Sequence, residues 1–273
     1  MPELPEVETI VRDLNSLISG KTIEGIRVFD VLPLRSMSKA SFIMALRHQV
    51  ISGVTRRGKA IVIALSSGMF WVIQLKMTGL MIVHQTPAPL PVKETRLVFD
   101  LSGDVKLFYN DQRRFGRYWV GRNLEDFKHF QELGPEPLSA AFTAGLLKIK
   151  LKGVQRAVKP LLLDHSFIAG IGNIYACEIL FKAGISPKRR SGSIKADEAI
   201  RLYHEIVAVL NEAIVYRGSS IRNYRDSKGV KGGFNTQIAV YGKTGDPCPR
   251  CSVPIVRIVQ SGRSTFYCMK CQR

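Results

Sequence analysis

Four cysteines near the carboxyl end constrain this chain more tightly than any other feature. They stand as Cys248-Pro249-Arg250-Cys251 and, after sixteen intervening residues, Cys268-Met269-Lys270-Cys271. Two Cys-x-x-Cys turns can each present two thiolates to one tetrahedral ion, and this spacing matches a zinc ribbon. Between them, Val253 to Phe266 reads as a short hairpin with Ser261-Gly262 at its tip. Two disulfides are the competing arrangement, poorly suited to a chain with no export signal; a redox pair would not need a second copy. Four thiolates leave no open coordination position, so one Zn2+ held by Cys248, Cys251, Cys268 and Cys271 is expected to be structural. The fifth cysteine, Cys177, lies in an apolar helical stretch and reads as a small core residue.

Upstream of the ribbon the chain has two textures. From residue 22 to 120, short apolar runs such as Ala60 to Leu65, Phe70 to Leu75, Arg96 to Leu101 and Val105 to Tyr109 alternate with Gly, Ser, Asp and Pro turns. Closely spaced strands of this kind predict a sandwich or flattened barrel. Leu133-Gly134-Pro135-Glu136-Pro137 then breaks the pattern. Beyond it, Leu146 to Leu151, Ala157 to Leu163, Ile174 to Ala183 and Ala196 to Tyr216 carry the three-and-four spacing of helices. A loop rich in Gly, Ser and basic residues follows, from Arg217 to Phe234. No run of eighteen apolar residues and no basic-then-apolar leader occurs, so no membrane partner is expected and the cytoplasm is the default location.

Lys and Arg number 40 against 22 Asp and Glu, a net charge of +18. A polyanionic partner is the simplest reason to carry such self-repulsion. Through residue 130 there are 18 basic residues against 12 acidic, and after it 22 against 10, so the second half is the main candidate for phosphate binding. Charge alone fits a ribosomal or membrane-surface protein equally well.

The opening Met1-Pro2-Glu3-Leu4-Pro5-Glu6-Val7-Glu8-Thr9 carries the most informative chemistry. Val7, Ile10, Val11, Leu14, Leu17 and Ile18 share one face, which predicts an amphipathic helix starting near Pro5 with Glu6 and Glu8 in its first turn. Read alone, this is an ordinary helix whose acids complement its dipole. Methionine before proline is normally removed, however, and that would expose Pro2 as a secondary amine beside the Glu3 carboxyl. An α-amine titrates near about 7.7–8.0, so a useful fraction is neutral and nucleophilic at physiological pH.

Pro2-Glu3-Leu4-Pro5-Glu6-Val7-Glu8-Thr9, the Arg57-Gly58-Lys59 turn, Arg113-Arg114-Phe115-Gly116, Gly170-Ile171-Gly172-Asn173-Ile174-Tyr175 and the closing cysteines together resemble the bacterial formamidopyrimidine-DNA glycosylase family, in order and over the whole chain. The resemblance implies an α+β multidomain protein with three parts. These are an N-terminal helix plus catalytic β-sandwich over 1–133, a helix-two-turn-helix domain with a lesion-capping loop over 134–237, and a zinc finger over 238–273. It implies a bifunctional DNA glycosylase and AP lyase that acts as a monomer on double-stranded DNA containing oxidised purines, in the bacterial cytoplasm at the nucleoid. By the same resemblance Pro2 is the nucleophile and Glu3 the acid. Glu6 shapes their pocket, Lys59 serves the elimination steps, and Arg263 serves the last of them. Read from the residues alone, Lys59 is an exposed lysine after a Gly turn and Arg263 a solvated hairpin residue.

Chemistry on a base inside a duplex requires the nucleotide to be flipped out and the vacancy filled. The resemblance assigns the filling to Met77, Arg113 and Phe115, although Met77 and Phe115 alone would read as strand core. It further assigns Asn173, in a Gly-rich turn, to phosphate, and Ser220, Arg222 and Tyr224 to the lesion-capping loop. Three departures touch DNA contacts. Gln74-Leu75-Lys76-Met77 carries Gln where the family usually has His, Glu94 stands where a phosphate-binding His is expected, with Arg96 nearby to compensate, and Val154 replaces a common lysine. Two other functional classes fit the charge and cysteines: a catalytically silent lesion-binding zinc protein and an RNA-associated zinc protein. Within the enzyme class, the alternative is an endonuclease VIII-like preference for oxidised pyrimidines.

Overall fold

The structure is a computed structural model describing residues 2–34, 37–220 and 224–273. The chain divides into two compact units, Met1–Gln131 with Tyr216–Gly233, and Glu132–Val215 with Phe234–Arg273. Arg222 of the expected capping loop lies outside the described residues.

The first unit contains helix α1 (Leu4–Ile18), strand β1 (Ile23–Val28), helix α2 (Lys39–Leu46), strands β2 (Ile51–Arg57), β3 (Ala60–Leu65), β4 (Phe70–Gln74), β5 (Gly79–Gln85), β6 (Thr95–Leu101), β7 (Val105–Asp111) and β8 (Arg117–Gly121), and the single turn α3 (Lys128–Gln131). The expected sandwich is present as two four-stranded antiparallel sheets, ordered β1-β6-β7-β5 and β2-β3-β4-β8. Alternation explains the packing. Leu97, Phe99 and Leu101 of β6 and Val105, Leu107 and Tyr109 of β7 share one core with Ile61, Ile63, Trp71 and Ile73 of the other sheet. The Trp71 and Phe99 rings meet at 4.5 Å. Val7, Ile10, Val11, Leu14 and Ile18 of α1 enter the same cluster, which confirms the amphipathic reading. Each fully buried side chain of this kind contributes roughly 1.5–3 kcal/mol.

Helix α2 interrupts a region read from sequence as strands. The Ser38 hydroxyl caps it by accepting the Ser41 N–H, and only Phe42 and Leu46, one turn apart, reach the core. A helix this short has too little apolar stripe to declare its period.

Three connections pass from sheet to sheet: β1–β2, which runs through α2, and two short links. The β4–β5 link carries Met77, and the β7–β8 link carries Arg113 and Phe115. Gln74 pairs with Arg117 and Gly79 with Asp111, so both links leave the sandwich at the same end. The β4–β5 link is tight: Lys76 has φ +53°, and a Cβ on Gly79 would lie 2.5 Å from the Leu75 carbonyl oxygen. Only glycine fits there.

The second unit contains α4 (Ala144–Leu151), α5 (Val158–Leu162), α6 (Asn173–Ala183), α7 (Ala196–Val215) and the two-stranded hairpin β9 (Val256–Gln260) and β10 (Arg263–Tyr267). The helical second half and its closing hairpin therefore follow the sequence reading. Thr143 caps α4 through the Leu146 N–H, and Gly184 ends α6 in the left-handed region at φ +70°. Among the described residues no helix is long and apolar enough to cross a membrane.

Candidate functional site

Pro2 and Glu3 sit at the start of α1, both buried. Glu6 fixes this terminus from two sides. Its Oε2 accepts the Glu3 N–H at 2.8 Å, and its Oε1 accepts the Ser219 N–H at 2.7 Å. The second contact requires close approach, since a Cβ on Gly218 would lie 2.8 Å from the Glu6 carboxylate. Glu6 thus joins the N-terminus to the segment Tyr216–Gly233. Arg217 reinforces the junction by bridging the carboxylates of Asp13 on α1 and Asp226, the latter at 2.6 Å. Asp226 in turn accepts the N–H groups of Lys228 and Val230.

Within this segment, the Ser220 hydroxyl donates to the Tyr224 carbonyl at 2.9 Å and accepts the Gly232 N–H at 2.8 Å, closing the neck of the loop. Tyr224 is buried, and its hydroxyl donates to the Glu6 carbonyl at 3.4 Å; burial pushes the phenol well above its usual pKa. Sequence reasoning placed Ser220 and Tyr224 as lesion contacts. In this structure Ser220 closes the neck of the loop and Tyr224 ties it to α1.

Lys59 occupies the two-residue turn between β2 and β3, where Gly58 takes φ +58°, the conformation a type II′ hairpin wants at its first central position. Arg56, unmarked in the sequence reading, ties this turn to α1. It donates to the Gly58 carbonyl at 2.9 Å and to Glu8 Oε2 at 3.0 Å. Burial alone would raise the Glu8 carboxyl, but Arg12 and Arg56 outweigh it and hold it below the ordinary value. Helix and hairpin are thereby locked in register, with Pro2 and Glu3 on one and Lys59 on the other.

Met77, Arg113 and Phe115 come together. The Arg113 guanidinium lies 3.1 Å from Met77 Sδ and 4.6 Å from the centre of the Phe115 ring, which is half exposed. A stack of a thioether, a planar cation and an aromatic ring can enter a base stack, with the guanidinium free to hydrogen-bond an orphaned base. Arg114 between them has φ +58° and turns onto Asp30 with two hydrogen bonds, 2.5 and 2.9 Å. Those bonds, chiefly, hold the Asp30 carboxyl below its ordinary range. Arg96 donates to the Asp111 and Lys93 carbonyls and lies 3.8 Å from Asp30, so the compensating charge expected beside Glu94 is committed within the protein. Burial, then Arg117, pulls the Lys76 ammonium below the usual lysine value.

In the second unit, Asn173 opens α6 after the Gly-rich turn. Its amide donates to the Ser264 carbonyl at 2.9 Å, while the fully buried Lys159 donates to Asn173 Oδ1 at 2.6 Å and to the same Ser264 carbonyl at 3.3 Å. This links the α6 N-terminus to the hairpin that carries Arg263. At the hairpin tip Ser261 and Gly262 both have positive φ, +47° and +71°, as a type I′ turn requires, and Arg263 is exposed beside them. Lys159 is a positioning residue that the sequence reading did not single out.

The sulfurs of Cys248, Cys251, Cys268 and Cys271 all lie within 4.8 Å of one another, with pairs at 3.8 and 3.5 Å. Four thiolates about 2.3 Å from one zinc at tetrahedral angles would be separated by about 3.8 Å, so this donor set fits one Zn2+. The separations far exceed a disulfide bond of about 2.05 Å, and no disulfide is formed. N–H groups of Arg250 and Cys271 point at Cys248 and Cys268 Sγ, as thiolate ligands favour. Without a cation the neighbouring thiols, Cys251 first, push Cys271 up to about 12. A positive ion is what lets all four ionise. The ribbon packs on α6 through Cys177, which is core as expected, and Phe181, while Glu178 accepts the N–H groups of Ala239, Val240 and Tyr241. Burial raises the Glu178 carboxyl against the pull of those three bonds.

Comparison with known proteins agrees with this architecture part by part. Residues 1–118 match the formamidopyrimidine-DNA glycosylase N-terminal domain, residues 133–225 its H2TH domain, and residues 245–273 the zinc finger found in FPG and IleRS. The formamidopyrimidine-DNA glycosylase of Carboxydothermus hydrogenoformans is 44% identical over 273 residues, and that of Geobacillus kaustophilus 41% over 276; each comparison covers 100% of both chains. The crystal structure of the MutM (Fpg) protein from Thermus thermophilus superposes with a TM-score of 0.88 at 40% identity, covering 99% of this chain and 98% of that one. Lactococcus lactis Fpg, in complex with abasic-site DNA, superposes with a TM-score of 0.91 at 32% identity over 100% of both. With its N-terminal sandwich, helical domain and four-cysteine ribbon each matched in order, this chain belongs to the formamidopyrimidine-DNA glycosylase family.

Proposed function

We propose that this protein excises oxidised purines, 8-oxoguanine and formamidopyrimidines, from duplex DNA and then cuts the resulting abasic site, as one monomer working in base excision repair in the cytoplasm, at the nucleoid. The observation that carries this reading is the fixed N-terminus: Pro2 and Glu3 are buried at the start of α1, held by Glu6 and placed in register with Lys59 through Glu8 and Arg56.

The chemistry follows from those groups. The neutral Pro2 amine attacks C1′ of the damaged nucleotide while Glu3 donates a proton toward the departing base or the ring oxygen. The C1′–N bond breaks and the base leaves with its electron pair; the Pro2 nitrogen, having lost its proton, then expels the ring oxygen, which takes up a proton, and the ring-opened sugar is held as an iminium on Pro2. That cation acidifies C2′, so loss of a proton there expels the 3′ phosphate and a second elimination expels the 5′ phosphate. Lys59 serves the proton transfers and Arg263 the last departure. Met77, Arg113 and Phe115 fill the vacated stack, Ser220, Arg222 and Tyr224 form the capping loop, and Asn173 contacts phosphate. The structural Zn2+ on Cys248, Cys251, Cys268 and Cys271 supplies a rigid ribbon and takes no part in bond breaking.

Borohydride trapping on an 8-oxoguanine duplex tests the reading. The DNA should be recovered on the N-terminal peptide, and a chain that keeps Met1 should trap nothing on either the lesion or a preformed abasic site. Glu3→Gln should lower base excision by roughly 10²- to 10⁴-fold while still cutting a preformed abasic site, whose aldehyde needs less acid help. An adduct on Lys59, or normal trapping by the Met1-retaining chain, would remove Pro2 as the nucleophile.

A further inference from the structure

Asp111 is a buried acid with no place in the chemistry above. Asp111 ends β7 and has no exposed surface. Its Oδ2 accepts the Gly116 N–H at 2.7 Å and the Tyr109 hydroxyl at 3.4 Å, and its Oδ1 accepts the Thr78 hydroxyl. The Thr78 oxygen in turn accepts the Arg113 N–H at 3.0 Å. Thr78 directly follows Met77, and Gly116 directly follows Phe115. One carboxylate and one hydroxyl therefore bind the β4–β5 and β7–β8 links, at backbone positions adjoining or belonging to the three residues that fill the duplex.

The packing leaves this joint little freedom. A Cβ on Gly116 would lie 1.6 Å from the Tyr109 hydroxyl and 3.0 Å from Asp111 Oδ2, so the link must press its backbone onto the carboxylate. Gly79 pairs with Asp111 across β5 and β7, which sets the two links side by side. Each link alone is a surface loop, the β7–β8 tip exposed and the β4–β5 tip partly buried. Together they share a hydrogen-bonded base.

Resting on the glycosylase reading, we infer that Asp111 and Thr78 are positioning residues that make the two links one rigid wedge, so that Met77 enters the duplex together with Arg113 and Phe115. Charge-assisted acceptance by Asp111 is stronger than a neutral bond and is sheltered from water, so it can set the separation of the two tips. Loss of the hydroxyl leaves the Arg113 N–H and one carboxylate oxygen without this partner and uncouples the links.

The test uses the zinc-loaded full chain carrying Thr78→Val, Thr78→Ser or Asp111→Asn. Thr78→Val should reduce excision of 8-oxoguanine from duplex by about 5- to 100-fold, with Thr78→Ser restoring it to within about twofold of the parent. Cleavage of a single-stranded abasic oligonucleotide, where no stack is filled, should change less than about twofold. A 2-aminopurine placed opposite a non-cleavable abasic analogue should report stack filling by the parent and by Thr78→Ser, and much less by Thr78→Val. Adding Thr78→Val to Arg113→Ala should cost little more than Arg113→Ala alone, because the coupled tip is already gone. Equal losses on both DNA substrates, full additivity with Arg113→Ala, or parental behaviour of Thr78→Val would each overturn the inference. If Thr78→Val does not fold, Asp111→Asn takes its place in every arm, and unfolding of both would reduce the pair to a stability element and overturn it too. A parent chain that reports stack filling yet leaves 8-oxoguanine intact refutes the lesion reading alone.

Discussion

The two units each present a cation at a β-hairpin tip, Lys59 within a two-residue turn and Arg263 directly after one, and the hairpins are built in opposite ways. The turn bearing Lys59 is rooted in β3, which lies inside a four-stranded sheet and buries all its residues but one. Arg56 then pins it to α1 through Glu8. The hairpin bearing Arg263 has only two strands, with Val259 65% exposed, and an isolated two-stranded hairpin is marginal in water. Its rigidity comes from elsewhere: four cysteines at its base, Phe266 and Tyr267 buried in the second unit, and the Asn173 and Lys159 bonds to Ser264. Similar turn chemistry thus yields one tip fixed by sheet and core and another fixed by metal.

The largest effect should come from breaking the metal-held hairpin. Structural zinc in small modules is worth about 10–16 kcal/mol at neutral pH, far more than a single hairpin can supply. Chelation, or Cys251→Ser, should therefore unfold the ribbon and abolish tight DNA binding while leaving the near-ultraviolet signal of Trp71 in the sandwich intact. Undiminished binding by the zinc-free protein would show that the second hairpin is held by packing alone.

A smaller and more selective effect separates the two tips by product. Lys59→Ala should slow both eliminations by about 10²-fold, the low end of the range for positioned proton transfer. Arg263→Ala should spare the first elimination and let the product that retains the sugar fragment accumulate. Gel separation of the cleaved ends distinguishes them, and identical product patterns would refute the division of labour.

The smallest effect tests the pin. Arg56→Met keeps the aliphatic stem but removes the bonds to Gly58 and Glu8, which should cost about 3- to 30-fold in abasic-site cleavage, since Arg56 is mostly buried and Glu8 partly so. Base excision should fall less than elimination. A larger loss in excision would mean that Arg56 serves the N-terminus rather than the Lys59 turn.

Much of this protein was legible as one-dimensional pattern. The short apolar runs from Ala60 to Tyr109, set off by turn residues, determined the sandwich, the apolar face from Val7 to Ile18 determined α1, and the cysteine spacing determined the ribbon, because each rests on local pattern that no distant residue alters. Helix α2 escaped because two core contacts in eight residues carry no clear period. What only the tertiary structure decided is which polar residues meet. Asp111 and Thr78 are 33 positions apart, Arg56 and Glu8 48, Lys159 and Asn173 14, and Arg217 and Asp13 204. Composition marks none of these as partners, since an Asp, a Thr or an Arg in a loop is ordinarily solvated. Antiparallel register brings Gly79 opposite Asp111 and so sets Thr78 on the carboxylate, and the docking of α1 on β2 sets Glu8 on Arg56. The reason is physical: apolar burial depends on how often a residue type recurs along the chain, whereas a hydrogen bond depends on a few tenths of an ångström between two atoms that only the finished fold brings together.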